Sequence, residues 1–221
     1  MKDIRISKLI FDDIAFTKSQ SLELRNYINN KYKAYDSEKR YDSATGKEVY
    51  KYPLFQFKLI DDKPCLITIG NETLSNFKKM FMDIKRINLG RQTISVSNKQ
   101  FTSELQKFGS TNSNIVYKFI KPWLGLSYEN IKKYKLMQSE KEKAALLNKC
   151  LTENIIVLCK SLEHRVEQTI TCGHKLDPTM ATLKGDKLLA FTGMLQVNFS
   201  LPNLIGLGRG VSLGYGTIKK R

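Results

Sequence analysis

The residues best suited to chemistry stand near the C-terminal end. The segment Gly206-Leu207-Gly208-Arg209-Gly210-Val211-Ser212-Leu213-Gly214-Tyr215-Gly216 holds five of the chain's thirteen glycines. Glycine tolerates positive φ and lets backbone approach a ligand closely. Successive backbone N–H groups in such turns hold phosphate oxygens, and Arg209 adds a forked cation that suits phosphate. Thr217-Ile218-Lys219-Lys220-Arg221 follows directly and surrounds the segment with positive charge. The spacing excludes a dinucleotide fingerprint: counted from Gly206, the third glycine would fall at Val211, and no helix and strand follow. A Walker A string and the usual RNA-recognition signature are absent as well. The phosphate-binding candidates are therefore Gly206, Gly208, Arg209, Gly210, Ser212, Gly214, Gly216, Lys219 and Lys220.

A second group of reactive side chains lies in a long polar stretch over residues 31–48, with Gly46-Lys47 as a turn signal. Long loops in compact domains are often functional. Across residues 32–52 it supplies Lys33, Tyr35, Lys39, Arg40, Tyr41, Lys47, Tyr50 and Lys51, and no histidine. The two histidines, His164 and His174, lie far downstream, the first expected at a helix end and the second at a turn. With Cys172 they could offer three metal ligands, but the spacing matches no familiar zinc pattern. Cys65, Cys150, Cys159 and Cys172 form no CxxC pair and read as reduced thiols. No metal and no cofactor is expected.

The elements that must position these residues belong to a folded protein. The chain has 221 residues, 41% hydrophobic and 26% charged, which allows two domains of about 100 residues each. Lys and Arg number 37 against 21 Asp and Glu, a net charge of +16. The surplus is spread along the chain, which predicts a folded basic face and a polyanionic partner, nucleic acid before membrane. No run of about 18 apolar residues predicts a membrane span. The opening MKDIRISKLIFDDIAF is too charged for a secretory signal, so a cytoplasmic protein is expected. A membrane-surface role needs a basic amphipathic helix, and the long helix of residues 139–162 opens acidic instead.

Periodicity predicts a strand over 4–11, a helix over 19–30 capped by Ser19 or Ser21, and a strand over 49–60. Asp61-Asp62-Lys63 reads as a hairpin turn into a strand over 64–69. A helix over 72–83 with Asn71 as cap precedes strands over 92–96 and 100–108. This β-α-β-β-α-β order is the ferredoxin-like pattern. Residues 109–114, GSTNSN, read as a linker. Beyond it lie a strand over 115–119, the helix over 139–162 with Ser139 and Glu142 as its start and a break near Thr152, and strands over 165–172, 181–183 and 188–199. The expected fold is α+β: two tandem ferredoxin-like (RRM-like) domains, 1–109 and 115–221, the second ending in the glycine-rich loop. Tyr117, Phe119 and Trp123 beside Lys118 and Lys121 suit base stacking and RNA backbone.

The spacing of the glycine-rich segment, G-h-G, five residues with one basic, then G-h-G, resembles the C-terminal loop of the CRISPR-associated repeat-RNA endoribonucleases, the Cas six family of the RAMP superfamily. Phe191-Thr192-Gly193 and Asn198-Phe199-Ser200-Leu201-Pro202 resemble the strand and turn that lead into that loop. Tyr52-Pro53-Leu54-Phe55-Gln56-Phe57-Lys58 and Pro122-Trp123-Leu124-Gly125-Leu126 with Asn130 extend the likeness over most of the chain. The resemblance implies two ferredoxin-like domains that bind CRISPR repeat RNA.

It also implies metal-independent cleavage, in which a ribose 2′-OH attacks the adjacent phosphate and expels the 5′-oxygen. Such a reaction wants a base, an acid and a cation at the phosphorane. Family members commonly carry a histidine between the first helix and the second strand, and residues 32–52 carry none. Lys33, Lys39, Arg40, Tyr41, Lys47 and Lys51 become the catalytic candidates. Two functions stay open: a metal-independent endoribonuclease that processes precursor CRISPR RNA, or a weakly active or inactive subunit that holds the repeat in a CRISPR ribonucleoprotein. The expected partners are repeat RNA and other effector subunits, with the chain a monomer or homodimer.

Overall fold

The computed structural model describes every residue except 33–38, 42–47, 51, 72–73 and 91; at 18, 19, 21, 39–41 and 48–50 it describes backbone alone. The chain divides into two compact units.

The N-terminal unit comprises Asp3–Gln106 together with Ser212–Gly214. β1 (Lys2–Phe11) leads to α1 (Lys18–Tyr32). The helix start is a reciprocal capping box rather than Ser19 or Ser21. Gln20 N–H donates to Thr17 Oγ1 at 3.3 Å, and Thr17 N–H donates to Gln20 Oε1 at 2.9 Å. The single strand expected over 49–60 is divided into β3 (Glu48–Tyr50), paired with β2 (Lys39–Tyr41), and β4 (Phe55–Ile60). Pro53 lies between them and has no N–H to give a ladder. β4 turns into β5 (Lys63–Ile69) through Asp61 and Asp62, both at positive φ (50° and 59°), the two-residue turn whose twist suits a hairpin.

α2 (Leu74–Asp83) follows, and the Lys99 ammonium closes its C-terminal end by donating to the Phe81 and Ile84 carbonyls. The hairpin of β6 (Arg86–Leu89) and β7 (Gln92–Ser95) comes next; β6 escaped the sequence reading. The unit closes with the opening residues of β8 (Lys99–Trp123). Its sheet runs β4-β5-β1-β8, the ferredoxin-like order of second, third, first and fourth strand. Leu9, Phe11, Leu24, Ile28, Phe55, Phe57, Leu66, Phe77 and Met80 form the core between sheet and helices.

The C-terminal unit comprises Lys107–Val211 and Tyr215–Arg221, with Met1–Lys2. The remainder of β8 is its first strand. α3 (Tyr128–Leu136) starts at Ser127, whose hydroxyl accepts the Asn130 N–H. α4 (Glu140–Ser161) starts at Ser139, whose hydroxyl accepts the Glu142 N–H as the sequence predicts, and runs unbroken past Thr152. Leu147, Leu151, Ile155 and Leu158 keep one buried face of α4 continuous, so nothing favours a break. β9 (Cys172–Leu183), β10 (Asp186–Ser200) and β11 (Ile218–Lys220) complete the sheet in the order β11-β8-β10-β9. This is the same strand order a second time, so the tandem ferredoxin-like architecture holds. The second helix of the motif is replaced by residues 201–217, which contain the glycine-rich segment and a single 3-10 turn, Val211–Leu213.

Two further expectations need correction. Residues 109–114 are not a linker: they lie inside β8, where Gly109 and Ser110 pair with Ser200 and Phe199, and Ile115 pairs with Val197. Between those pairs one residue of β10, Asn198, faces four of β8. The polar GSTNSN run is accommodated as a bulge in a continuous strand. Residues 165–171 are not a strand either; β9 begins at Cys172.

Candidate nucleic-acid interface

The glycine-rich segment is held by its own backbone. Leu207 N–H donates to Gly216 O (3.0 Å), Tyr215 N–H to Gly210 O (3.2 Å), Arg209 N–H to Leu124 O (2.9 Å) and Gly216 N–H to Pro122 O (2.8 Å). Leu207, Val211 and Tyr215 are buried, and the Tyr215 hydroxyl donates to Thr182 O. Gly216 shows why glycine is needed: its φ is 62°, and a Cβ there would lie 1.9 Å from Leu207 O. Glycine here serves close packing of the chain on itself at least as much as approach to a ligand. Of the candidates named from sequence, Arg209, Lys219 and Lys220 are exposed, Gly208 and Gly210 half-buried, and Gly206, Ser212, Gly214 and Gly216 buried.

Register across the C-terminal sheet assembles a set of cations that sequence order scatters. Lys219 of β11 is directly opposite Lys118 of β8, Lys118 is opposite Met194 of β10, and Met194 is opposite Lys175 of β9. Paired residues point to the same face, so these four form one row across the sheet, with strand steps of about 5 Å. The three lysines are exposed and Met194 is half-buried. The Arg221 guanidinium reaches the Met194 sulfur (Nη1 to Sδ, 3.2 Å), which brings a fourth cation to the row. Like charges directly opposite on a sheet cost about 0.2–1 kcal/mol, a cost that a polyanion on this face would offset. Lys175 was missing from the sequence-derived site; Lys118 and Arg221 were noted there, one beside the aromatic residues and one in the basic run 217–221, but not as neighbours. Alternation of charged and apolar residues marks a face and not a row.

The aromatic residues expected to stack bases are buried instead. Tyr117, Phe119 and Trp123 are all at most 3% exposed. They occupy the inward face of β8, on the side opposite Lys118, because successive strand residues alternate faces. The Tyr117 hydroxyl accepts the Leu201 N–H (2.8 Å), Trp123 stacks on Phe119 with ring centroids 5.9 Å apart, and the Trp123 indole donates to Asn154 Oδ1 (2.9 Å).

The two histidines are structural. His164 follows α4 and packs edge-on against Phe108 and Phe199, with ring centroids at 5.1 and 5.9 Å. His174 lies within β9, not at a turn, with Nδ1 2.7 Å from Asn148 Oδ1. Burial lowers the pKa of both below the usual histidine range, and the Lys2 ammonium adds to the shift at His164. Cys172 is a buried thiol shifted upward by desolvation. Among the described residues no group of three or more His, Cys, Asp or Glu is placed to hold a metal ion, and His164, Cys172 and His174 do not converge.

The catalytic candidates Lys33, Lys47 and Lys51 lie outside the described residues, as do the side chains of Lys39, Arg40 and Tyr41, whose backbone forms β2. No helix among the described residues is long and apolar enough to cross a membrane.

Two tandem ferredoxin-like units, the second ending in a glycine-rich segment in place of a helix, define a RAMP-type fold. Models of the Cas6b N-terminal domain and the Cas6b C-terminal domain match residues 2–107 and 109–221, so the chain belongs to the Cas6b family. It is similar to a crystal structure of Cas6b, 28% identical with a TM-score of 0.87, and to one of the CRISPR RNA processing endoribonuclease Cas6b, 27% identical with a TM-score of 0.79; both chains are covered in full in each comparison. It is also 33% identical over 141 residues to an uncharacterized protein of Methanocaldococcus jannaschii, covering 63% of this chain and 95% of that one.

Proposed function

We propose that this chain is an endoribonuclease that cuts precursor CRISPR RNA within its repeat, without a metal. Membership of the Cas6b family over both units carries the reading. The exposed cations of the C-terminal unit support it: Arg209 on the glycine-rich segment, and Lys219, Lys118, Lys175 and Arg221 on the sheet. Phosphate contacts of this kind supply most nonspecific affinity for nucleic acid. In the reaction, the 2′-oxygen forms a bond to phosphorus and the bond from phosphorus to the 5′-oxygen breaks. The 2′-proton goes to a base, and an acid gives a proton to the leaving oxygen. We assign these roles to Lys33, Lys39, Arg40, Tyr41, Lys47 and Lys51. Repeat RNA is bound by Arg209, Lys219 and Lys220, with Gly206, Gly208, Gly210, Ser212, Gly214 and Gly216 shaping the segment. The reading includes domains 1–109 and 115–221, a cytoplasmic location, other CRISPR effector subunits as partners, and a monomer or homodimer.

Incubating the chain with a panel of repeat RNAs in EDTA tests the proposal. The expected products carry a 2′,3′-cyclic phosphate and a 5′-hydroxyl. A requirement for Mg²⁺, or a 3′-hydroxyl on the product, would make the mechanism wrong. The absence of histidine across residues 32–52 favours a second reading, a subunit that holds the repeat without cutting. Tight repeat binding with no cleavage at any pH would select it.

A further inference from the structure

β9 carries a glycine that the fold does not require. Gly173 lies inside the β9–β10 ladder, opposite Gln196 and one pair from its end at Val197 and Cys172. The ladder runs without a register shift, so Gly173 forms no bulge. Its φ is not in the positive region. A Cβ built on it would meet a single atom within 4 Å, Gln196 Oε1 at 3.9 Å. Gly193 of β10 is the contrast: its φ is 127°, and a Cβ there would lie 2.1 Å from Lys175 O. At Gly193 the fold demands glycine; at Gly173 a side chain would fit and would strengthen the strand. Glycine within a strand, with no bulge and no backbone packed over it, marks a place that a ligand approaches.

The surroundings say what approaches. Two residues along each strand from the lysine row, about 7 Å away, a second row lies on the same face. In it Gln196 of β10 is opposite Val116 of β8 and Gly173 of β9, and Arg221 donates its N–H to Val116 O at 3.0 Å. Leu195 and Val197 point inward and are buried, which puts Gln196 outward, where it is exposed. Among the described residues its side-chain amide has no hydrogen-bond partner. Lys175 stands two residues along β9 from Gly173, on that face. The open position over Gly173 thus has an uncommitted amide on one side and the end of the cation row on another. All of these residues belong to the C-terminal unit. Neither row carries an aromatic ring, so recognition here is by edge and not by ring stacking. A strand of RNA with unpaired bases has the matching form, a charge at every step and a flat group with a polar edge beside it. An amide offers one donor and one acceptor side by side, which pair with the adjacent N7 acceptor and N6 donor of adenine.

We propose that Gln196 is a base-reading residue of the C-terminal sheet: its amide pairs with the edge of an unpaired adenine seated over Gly173, while Lys118, Lys175 and Lys219 hold the adjoining phosphates. The inference rests on the reading of this sheet face as an RNA-binding surface and divides its labour. The lysines supply affinity that ignores sequence, and Gln196 supplies the preference for a base. Gly173 serves by leaving the seat open.

The test is fluorescence anisotropy of the full chain with labelled 2′-O-methyl oligo(A), oligo(C) and oligo(U) of about ten nucleotides. The 2′-O-methyl group removes the nucleophile, so binding is read without cleavage. The wild type is expected to bind oligo(A) at least about fivefold more tightly than the other two. Gln196→Ala should remove that preference and leave oligo(C) and oligo(U) affinities in place. Gly173→Val should remove it too, while melting at or above the wild-type temperature, since valine favours a strand and meets no backbone there. Equal affinity of the wild type for all three, a preference for oligo(C) or oligo(U), or a ranking that Gln196→Ala leaves in place overturns the proposal. So does a Gly173→Val chain that keeps the oligo(A) preference. Joint replacement of Lys118, Lys175 and Lys219 by alanine separates the two readings. If it leaves affinity and salt dependence unchanged for all three oligonucleotides, the sheet is not the RNA surface. If it weakens all three alike while Gln196→Ala changes no ranking, only the role of Gln196 fails.

Discussion

The two units reach the same strand order by opposite means at one place, the connection between their third and fourth strands. In the N-terminal unit that connection is α2 and the β6–β7 hairpin. α2 satisfies its own backbone and buries Phe77 and Met80. In the C-terminal unit it is the irregular run of residues 201–217, which buries Leu201, Ile205, Leu207, Val211 and Tyr215 without a regular ladder. Its N–H groups find partners one at a time, at Gly216, Leu124, Gly210 and Pro122. A helix constrains its sequence through periodicity. An irregular segment constrains it through glycine at tight approaches, which leaves Arg209 free to be a solvent-facing cation on a fixed backbone.

The largest expected effects break the packing side of this comparison. Trp123→Ala should cost about 3–5 kcal/mol in urea or guanidinium unfolding, as for a buried aromatic. If it instead lowered RNA affinity with stability unchanged, Trp123 would be a stacking surface and its burial misread. Gly216→Val should cost about 3 kcal/mol or more, combining positive φ with a backbone clash. Lys79→Ala on the exposed side of α2 should stay within about 0.5 kcal/mol, and equal tolerance at both sites would erase the contrast between helix and segment.

Next come the charges. Replacing Lys118, Lys175 and Lys219 together with alanine should flatten the log–log salt dependence of RNA binding by up to about three units, and Arg209→Ala by about one. Thermal unfolding should hardly move in either variant. A triple variant with the wild-type salt slope would show that the sheet face meets no phosphate.

The smallest expected effect is in pH. Both histidines belong to the C-terminal unit, and burial holds both below the usual range. The folded state therefore binds fewer protons than the unfolded chain below about pH 6.5. Stability is full above that value and declines as pH falls toward the folded-state pKa. Urea midpoints at pH 7.5 and 5.5 should show the decline, and a His164→Leu, His174→Leu double variant should show less of it. A midpoint that rises on acidification would contradict the burial of these rings.

Much of the architecture was legible because it is written locally. Alternation marked β1 and the stretch that contains β4; the Asp61-Asp62 turn and the Ser139 cap were read from residue type alone. The misreadings came where local signals compete with distant partners. GSTNSN carries the composition of a linker, but pairing with β10 keeps it in β8 as a bulge. Thr17 took the cap of α1 from Ser19 because Gln20 could reach back to it. The candidate site divides the same way: Arg209, Lys219 and Lys220 were found from sequence, Lys118 and Arg221 were noted as basic without their partners, and Lys175 was not singled out.

By itself, then, the sequence determined the strand and helix types, the doubled α+β pattern, the basic surplus and the glycine-rich segment that marks the family. Tertiary structure alone decided which charges become neighbours. Lys219, Lys118 and Lys175 meet only through the register of four strands drawn from distant parts of the chain. Lys58 is unremarkable in FQFKLI until β5 and the turn at Gly214 remove it from water. Residue type sets what a side chain can do, but pKa and charge proximity depend on desolvation and distance, and these are fixed only when separate segments pack.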